Sequence, residues 1–371
     1  MRSNEIVLDS LIKITVIGVG GGGCNAINRM IASDLSGVEF VGINTDARAL
    51  AQCRADRRIQ IGQKLTQGLG TGGNPLIGQK AAEDARSQIA SAMEGSDLVF
   101  ITAGMGGGTG TGATPIVAEI AKQQGALTIG VLTRPFAFEG KRRSHLAEEA
   151  ITALQTRLDT AIAVPNEKLL SVISDNMPVQ DAFGVADDIL RQGVQGISDL
   201  IVIPGVVNVD FADVRSVMSR AGTALLGIGI GQGQSRARQA AISAMSSPFL
   251  DSSINGAKGV VFNITCGMDL TLHEVNVAAA EVYNVVDPDA NIIFGAVIDD
   301  RLHGEMRMTL IATGFSNEPQ VSLPQTRVVP TPPPQSRVAK PPTPTPQPEI
   351  PPPSWPGLDL PDFFPPRRSP R

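Results

Sequence analysis

From Leu11 to about Pro165 the chain alternates short apolar, β-rich runs with helical stretches. The runs Ile12 to Ile17, Val38 to Ile43, Leu98 to Thr102, Leu127 to Leu132 and Ala161 to Val164 predict strands, and most close on Gly, Asn or Thr. Strands separated by helices pack as a parallel sheet covered on its faces, a Rossmann-like α/β arrangement. Ligands bind such sheets beyond the carboxyl ends of the strands, so the loops after these runs are where chemistry is expected.

Between Val179 and Ile201 the apolar residues Phe183, Ala186, Leu190, Val194, Ile197 and Ile201 return at three- and four-residue spacing, which predicts a long buried helix ended by Pro204-Gly205. A second unit follows. Its predicted strands are Ala224 to Ile230, Val260 to Thr265, Ile292 to Ile298 and Met306 to Thr313, and its helices Arg236 to Met245 and Leu272 to Val286. Thr271 and Glu274 form a capping box for the second helix. The expected organisation is a flexible N-terminus at 1–10, a nucleotide-binding parallel-sheet domain at 11–178, a central helix at 179–203 and a smaller α+β domain at 204–315. After Phe315 the composition turns to Pro, Gln, Ser and Thr, predicting a disordered linker at 316–356 that buries too little apolar surface to order itself. At 357–371 apolar residues return beside acids in Gly357-Leu358-Asp359-Leu360-Pro361-Asp362-Phe363-Phe364, either a peptide for docking on a partner or an idle terminus.

Composition narrows the function. With 371 residues, 42% hydrophobic and 18% charged, the chain reads as soluble and globular, two packed units and a tail. A net charge of -5, one Trp and one Tyr supply neither the positive field nor the stacking platforms that nucleic acid requires, so no nucleic-acid partner is expected. Cys24, Cys53 and Cys266 lie far apart without a Cys-x-x-Cys pair and read as reduced cytosolic thiols. No signal peptide is visible in Met1 to Ser10, and no run of about 18 apolar residues predicts a membrane span, so direct membrane insertion is not expected.

Two glycine-rich stretches carry the candidate chemistry. Gly18-Val19-Gly20-Gly21-Gly22-Gly23-Cys24-Asn25 follows the first strand and leads into a helix from Ala26 to Ala32; glycines there let backbone amides approach a phosphate at a helix N-terminus. Gly18, Gly20 and Gly23 alone satisfy G-x-G-x-x-G, which taken by itself points to a nicotinamide-dependent oxidoreductase. The second stretch, Gly104-Met105-Gly106-Gly107-Gly108-Thr109-Gly110-Thr111-Gly112, lies between a strand and a helix expected to start near Pro115. Two such loops on one sheet edge can wrap a triphosphate with amides and the Thr109 and Thr111 hydroxyls. No G-x-x-x-x-G-K-[ST] exists, so backbone dipoles rather than a P-loop lysine must hold the phosphates.

At this second loop Gly106 to Gly112 resembles the tubulin signature, in the wording of the FtsZ family of bacterial cell-division GTPases. The likeness runs almost continuously from Leu11 to Phe315. It includes Asn44-Thr45-Asp46, Gly68-Leu69-Gly70-Thr71-Gly72-Gly73-Asn74-Pro75, Arg134-Pro135-Phe136 with Glu139-Gly140, and Asn208-Val209-Asp210-Phe211-Ala212-Asp213-Val214. The resemblance implies a GTP/GDP site with Mg2+ and no assigned protein metal ligand. It assigns guanine recognition to Asn166, Phe183 and Asp187, and ribose or phosphate contact to Glu139 and Arg143. The rest of the implied site is Gly21, Gly22, Gly23, Cys24, Asn25, Asn44, Asp46, Thr71, Gly72, Gly73, Gly104, Gly107, Gly108, Thr109, Gly110 and Thr133, with Asp46 and Thr71-Gly72-Gly73 sensing the γ-phosphate. The chemistry agrees: a carboxylate at Asp187 can accept from guanine N1–H and the exocyclic amine, with Phe183 one helical turn away to stack. The plain alternatives are core filler for Phe183, a solvated face for Asp187 and a surface charge for Arg143.

Asp210 falls where a helix N-cap belongs and Asp213 at the third helical position, so a capping pair suffices to explain both. The resemblance implies more. In the family this loop enters the next subunit's nucleotide pocket, so Asn208, Asp210 and Asp213 would complete the site in trans and hydrolysis would depend on head-to-tail assembly into a homopolymer. It further implies a cytoplasmic protein at the mid-cell division ring, bound to adaptor and membrane-tether proteins through Leu358, Asp359, Pro361 and Phe363, although Pro365-Pro366 interrupts any continuing helix. Two departures from the family are Cys24 and Thr71, the latter replacing a common alanine. The competing readings are the oxidoreductase and a tubulin-like scaffold that binds nucleotide without hydrolysing it.

Overall fold

The computed structural model describes residues 12–315 except 175, 204 and 208. The expected N-terminal segment 1–10, Asn208, the linker at 316–356 and the C-terminal peptide at 357–371 therefore lie outside the described residues. Within 12–315 the strands are β1 (Ile14–Val19), β2 (Val38–Asn44), β3 (Arg57–Gln60), β4 (Leu98–Gly104), β5 (Leu127–Arg134), β6 (Thr160–Pro165), β7 (Gly222–Gln232), β8 (Gly259–Cys266), β9 (Asn291–Ile298) and β10 (Glu305–Thr313). They form one ten-stranded sheet in the order β3-β2-β1-β4-β5-β6-β7-β10-β8-β9.

β1 to β6 pair in parallel, and β7 continues this half only from Gly222 to Ala224, opposite Thr160 to Ile162 of β6. Beyond Ala224 it pairs antiparallel with β10, which pairs antiparallel with β8, and β8 is parallel to β9. One strand thus serves both halves.

The helices are α1 (Gly20–Ala32), α2 (Ala47–Gln52), α3 (Gln63–Thr66), α4 (Pro75–Asp84), α5 (Arg86–Ala92), α6 (Thr109–Gln123), α7 (Lys141–Leu154), α8 (Val179–Val202), α9 (Phe211–Met218), α10 (Arg236–Met245) and α11 (Leu272–Tyr283). Alternation along the strands sorts the core. Val16, Phe100, Ile129 and Val131 join Ile27 and Met30 of α1 and Ile189, Leu190 and Val194 of α8 on one face, while Ile17, Ile101 and Leu132 pack against α4 to α7 on the other. A separate cluster unites α10 and α11 with β8 and β10. The spacing read along α8 holds: Ala186, Leu190, Val194 and Ile197 are buried, whereas Phe183 stays 39% exposed.

The structure moves both glycine-rich helix starts. α1 begins at Gly20 instead of Ala26, and α6 at Thr109 instead of near Pro115, which falls inside it. Glycine is a poor helix former, but here its missing side chain is a packing requirement. A Cβ on Gly23 would overlap the Thr102 carbonyl oxygen, and one on Gly112 would overlap that of Pro75 at the start of α4. No helix among the described residues is long and apolar enough to cross a membrane.

Candidate nucleotide site

The carboxyl ends of β1, β2, β4 and β5 open into a cavity of ≈ 490 Å³. Gly20, Gly21, Gly22 and Asn25 enter it from α1, and Gly108, Thr109 and Gly110 from α6. Neither helix start is capped by a side chain, so first-turn amides on both sides of the cavity are left for a ligand. Both helices point their positive ends at the same space. Among the described residues, Arg143 is the only cation in the wall, against Asp46, Glu139 and Asp187. An anion would therefore be held mostly by backbone dipoles, as the missing P-loop lysine led us to expect.

The glycines divide into two groups. A Cβ on Gly21 or Gly107 would meet nothing within 4 Å, so these two leave open space, and Gly72 and Gly73 do the same with φ of +59° and +77°. Gly108 and Gly110 are instead packed tightly against their neighbours. A Cβ on Gly108 would overlap the Thr71 hydroxyl and stand 2.9 Å from the Asn74 amide; on Gly110 it would stand 2.7 Å from the Gly104 carbonyl oxygen. Gly18 and Gly23 lean on each other, a Cβ on Gly18 overlapping the Gly23 oxygen. Gly18 and Gly23, two of the three glycines of the dinucleotide fingerprint, thus close the β1–α1 turn, and neither is in the cavity wall.

Polar groups converge on the same space. Asn44 and Asn166 are 2% and 6% exposed, and Nδ2 of the first and Oδ1 of the second have no hydrogen-bond partner among the described residues. Both line the cavity. Buried polar atoms are seldom left unpaired, so these mark places for ligand atoms. Asp46 caps α2, its Oδ1 accepting from the Arg48 amide at 2.8 Å and the Ala49 amide at 3.1 Å. Thr109 shares a buried hydrogen bond of 2.7 Å with Thr45. The Thr71-Gly72-Gly73 loop, Gly104 and Thr133 complete this end of the wall.

At the other end Glu139 accepts from the Phe136 amide at 3.0 Å and pairs with Arg143 one turn away on α7. Phe183 meets buried Phe136 edge to face, centroids 5.4 Å apart, and Phe138 stacks on Phe136 at 5.0 Å. The core-filler reading of Phe183 is thereby excluded: its ring is fixed at the cavity wall and partly open. Asp187 stands one turn further along α8, and burial pushes its carboxyl up to about 6, opposed by the Arg29 guanidinium. It does not lie on a solvated helix face.

Other expected site residues sit elsewhere. Cys24 is 2% exposed beneath the wall; hydrogen bonding to Cys53 and burial push its thiol up, and all three cysteines are free. Thr111 is also absent from the wall, because its hydroxyl is occupied in accepting the Gly106 amide at 2.9 Å. The wall adds residues the sequence reading omitted, among them Gly70, Met105, Pro135 and Ala186; Gly70, Met105 and Pro135 carried a signal, as members of quoted motifs. Asp210 and Asp213 are exposed and outside the cavity. Asp210 holds the N-cap position of α9, yet its side chain makes no capping hydrogen bond. The capping explanation therefore loses its main support.

A second hollow of ≈ 500 Å³ lies between α10 and α11. Its charges are already paired, Arg238 with Glu281 at 2.7 Å and Glu274 with Arg236 at 2.6 Å, and no unpartnered buried atom among the described residues faces it. Nor does any cluster of three or more Asp, Glu, His and Cys among the described residues form a metal site.

Comparison with known proteins identifies the family. Residues 13–174 match the Tubulin/FtsZ family GTPase domain, and residues 222–316 the FtsZ family C-terminal domain. A solved empty FtsZ dimer of M. jannaschii is 47% identical, with a TM-score of 0.79, covering 82% of this chain and 89% of that one. A mutant of the same M. jannaschii protein matches equally, covering 91% of its chain. CetZ2 of Haloferax volcanii, solved as a GTPγS-bound protofilament, shares the fold at 20% identity and a TM-score of 0.68, covering 81% of this chain and 92% of that one. The oxidoreductase reading is overturned by these matches. The chain belongs to the FtsZ family of tubulin-like GTPases.

Proposed function

We propose that the protein polymerises head to tail with GTP bound in the ≈ 490 Å³ cavity, and that Asp210 and Asp213 of one subunit complete the nucleotide site of the next. The observation that carries the first half is the pair of uncapped helix starts facing one cavity beside the unpartnered Asn44 and Asn166 atoms. The second half is supported by two exposed carboxylates with no partner among the described residues, far along the chain from the glycine loops. A dimeric M. jannaschii relative and a protofilament from Haloferax volcanii favour assembly.

In this reading guanine donates N1–H and its amine to Asp187, stacks on Phe183 and meets Asn166. The triphosphate lies across the amides of α1 and α6, with Asn44, Thr109, Thr133 and the Thr71-Gly72-Gly73 loop around it, while Glu139 and Arg143 border the ribose. Mg2+ would be held mainly by the phosphates and water, with Asp46 the nearest acid of the phosphate end, and would neutralise developing charge. Asn208, Asp210 and Asp213 of the incoming subunit orient and polarise the attacking water, so positioning supplies most of the rate. The domain bounds, the linker at 316–356 and the peptide at 357–371 keep the roles given above: nucleotide binding, central helix, the half carrying the acidic turn, tether and docking. The place of action is the cytoplasm, at the mid-cell division ring, through adaptor and membrane-tether proteins.

The test is Asp213→Ala, followed by GTP binding, sedimentation and phosphate release. Binding and polymer are expected to persist while turnover falls on the order of a hundred-fold. Undiminished turnover would remove the carboxylate from the mechanism. Absence of turnover in the unmodified polymer would favour the non-hydrolysing scaffold.

A further inference from the structure

The stretch between α8 and α9 carries the acidic turn, and its attachment to the sheet is unusually close. A Cβ on Gly205 would overlap the Ala296 carbonyl oxygen on the outermost strand, β9, and stand 3.3 Å from the Val207 oxygen. This approach permits a two-bond stitch: the Val206 amide donates to the Ala296 oxygen at 2.9 Å, and the Ala296 amide donates to the Val207 oxygen at 3.3 Å. Val207 and Ala296 form an isolated antiparallel bridge. Gly295, next to Ala296, is empty in the complementary sense, since a Cβ there would overlap Leu200 Cδ2 of α8 and lie 3.4 Å from Val209 Cγ2. Val209 is 9% exposed and belongs to the core, and Asp210 follows it directly.

We infer that Gly205 and Gly295 are positioning residues for the GTPase reaction: they let the chain stitch to β9, and the stitch fixes where Asp210 and Asp213 stand. The inference rests on the trans-acting role proposed for those carboxylates. Asp210 and Asp213 make no side-chain hydrogen bond among the described residues, so their location depends on the backbone that leads to them. That backbone is held by the stitch and by Val209. A displacement of about 1 Å in a group that orients a reacting water can cost about 10²-fold in rate. Glycine at 205 is required because the obstructing atom is a backbone oxygen, which has no rotamer to escape into. At 295 the obstructing atom is the end of a leucine, which gives a means of relieving the clash.

Three preparations of the full chain test this: Gly205→Ala, Gly295→Ala, and Gly295→Ala with Leu200→Val. Each is expected to bind GTP within about twofold of the unmodified protein and to sediment with GTP. Phosphate release per polymerised subunit should fall at least about tenfold in the two single variants. It should recover most of that loss in the double variant, from which the colliding Cδ2 methyl is removed. Full turnover in Gly205→Ala, or no recovery in the double variant, overturns the inference.

A mixing experiment separates positioning from general damage. The donor is Asn166→Ala with Asp187→Ala, which lacks a working nucleotide pocket but keeps its acidic turn. Added to Gly205→Ala, it should restore hydrolysis of the GTP held by the latter; no restoration overturns the inference. If Gly205→Ala does not fold, the Gly295 pair decides alone. Failure of the underlying reading looks different, because Asp213→Ala would then hydrolyse GTP normally.

Discussion

Asp187 is half-buried at the base end of the cavity, and lost hydration is the largest cause that raises its carboxyl to about 6. Guanine offers it two donors, which only the carboxylate accepts fully, so bound nucleotide favours ionisation. Affinity should be complete above about pH 6 and fall as pH drops through that value, approaching tenfold per unit. Fluorescence titration with a labelled GTP from pH 5 to 7.5 reads this, and Asp187→Asn, which cannot ionise, should bind weakly with the slope due to this group removed. A second residue-scale prediction uses the two kinds of glycine. Gly21→Ala adds a methyl to open space, so thermal stability should hold while GTP affinity drops about tenfold, roughly 1.4 kcal/mol. Gly108→Ala adds one where the Thr71 hydroxyl already stands, so it should destabilise the fold by about 1–3 kcal/mol, visible as a lower Tm without nucleotide. The glycine pattern showed in the sequence that backbone approaches something closely. It did not tell ligand from neighbouring backbone, because both demand the same missing Cβ; the resemblance assigns Gly23 and Cys24 to the site, and both lie outside the wall.

At the scale of elements, α8 was legible almost residue by residue, since one buried stripe repeats over its length. Its exceptions matter more. Phe183 belongs to the apolar spacing but ends at the cavity wall, where Phe183→Ala should weaken GTP binding by about 1–3 kcal/mol with little change in Tm. Asp199, near the other end of α8, is 8% exposed, and burial raises its carboxyl to about 6 despite Gln195 and Arg191. The folded state then holds this proton more tightly than the unfolded chain. Asp199 therefore makes stability decline as pH rises from about 4 to 6, and its ionised form costs on the order of 3 kcal/mol at neutral pH. Asp199→Asn should raise Tm at pH 7.5 and flatten that part of the pH profile in thermal melts. Elements lacking a repeating apolar signal escaped sequence reading: β3 is Arg-Arg-Ile-Gln on a sheet edge, and α2 spans only Ala47–Gln52. The early starts of α1 and α6 escaped too, because propensity argues against glycine in a first turn and only tertiary packing reverses it.

The cavity and the acidic turn proposed to act in trans lie on different parts of one sheet. The cavity opens at the carboxyl ends of the parallel strands, whereas the acidic turn is stitched to β9, the last strand at the far edge. Sequence patterns announced the parallel half and the second group of strands, but not that β7 serves both, since its pairing with β6 lasts only from Gly222 to Ala224. This separation makes the central claim one about assembly. The decisive measurement is phosphate release per subunit across a dilution series, with light scattering recorded on the same samples. The rate per subunit should fall toward zero as the polymer disappears, while bound GTP persists. A rate per subunit that stays constant into the range where only monomer scatters would contradict a site shared between subunits.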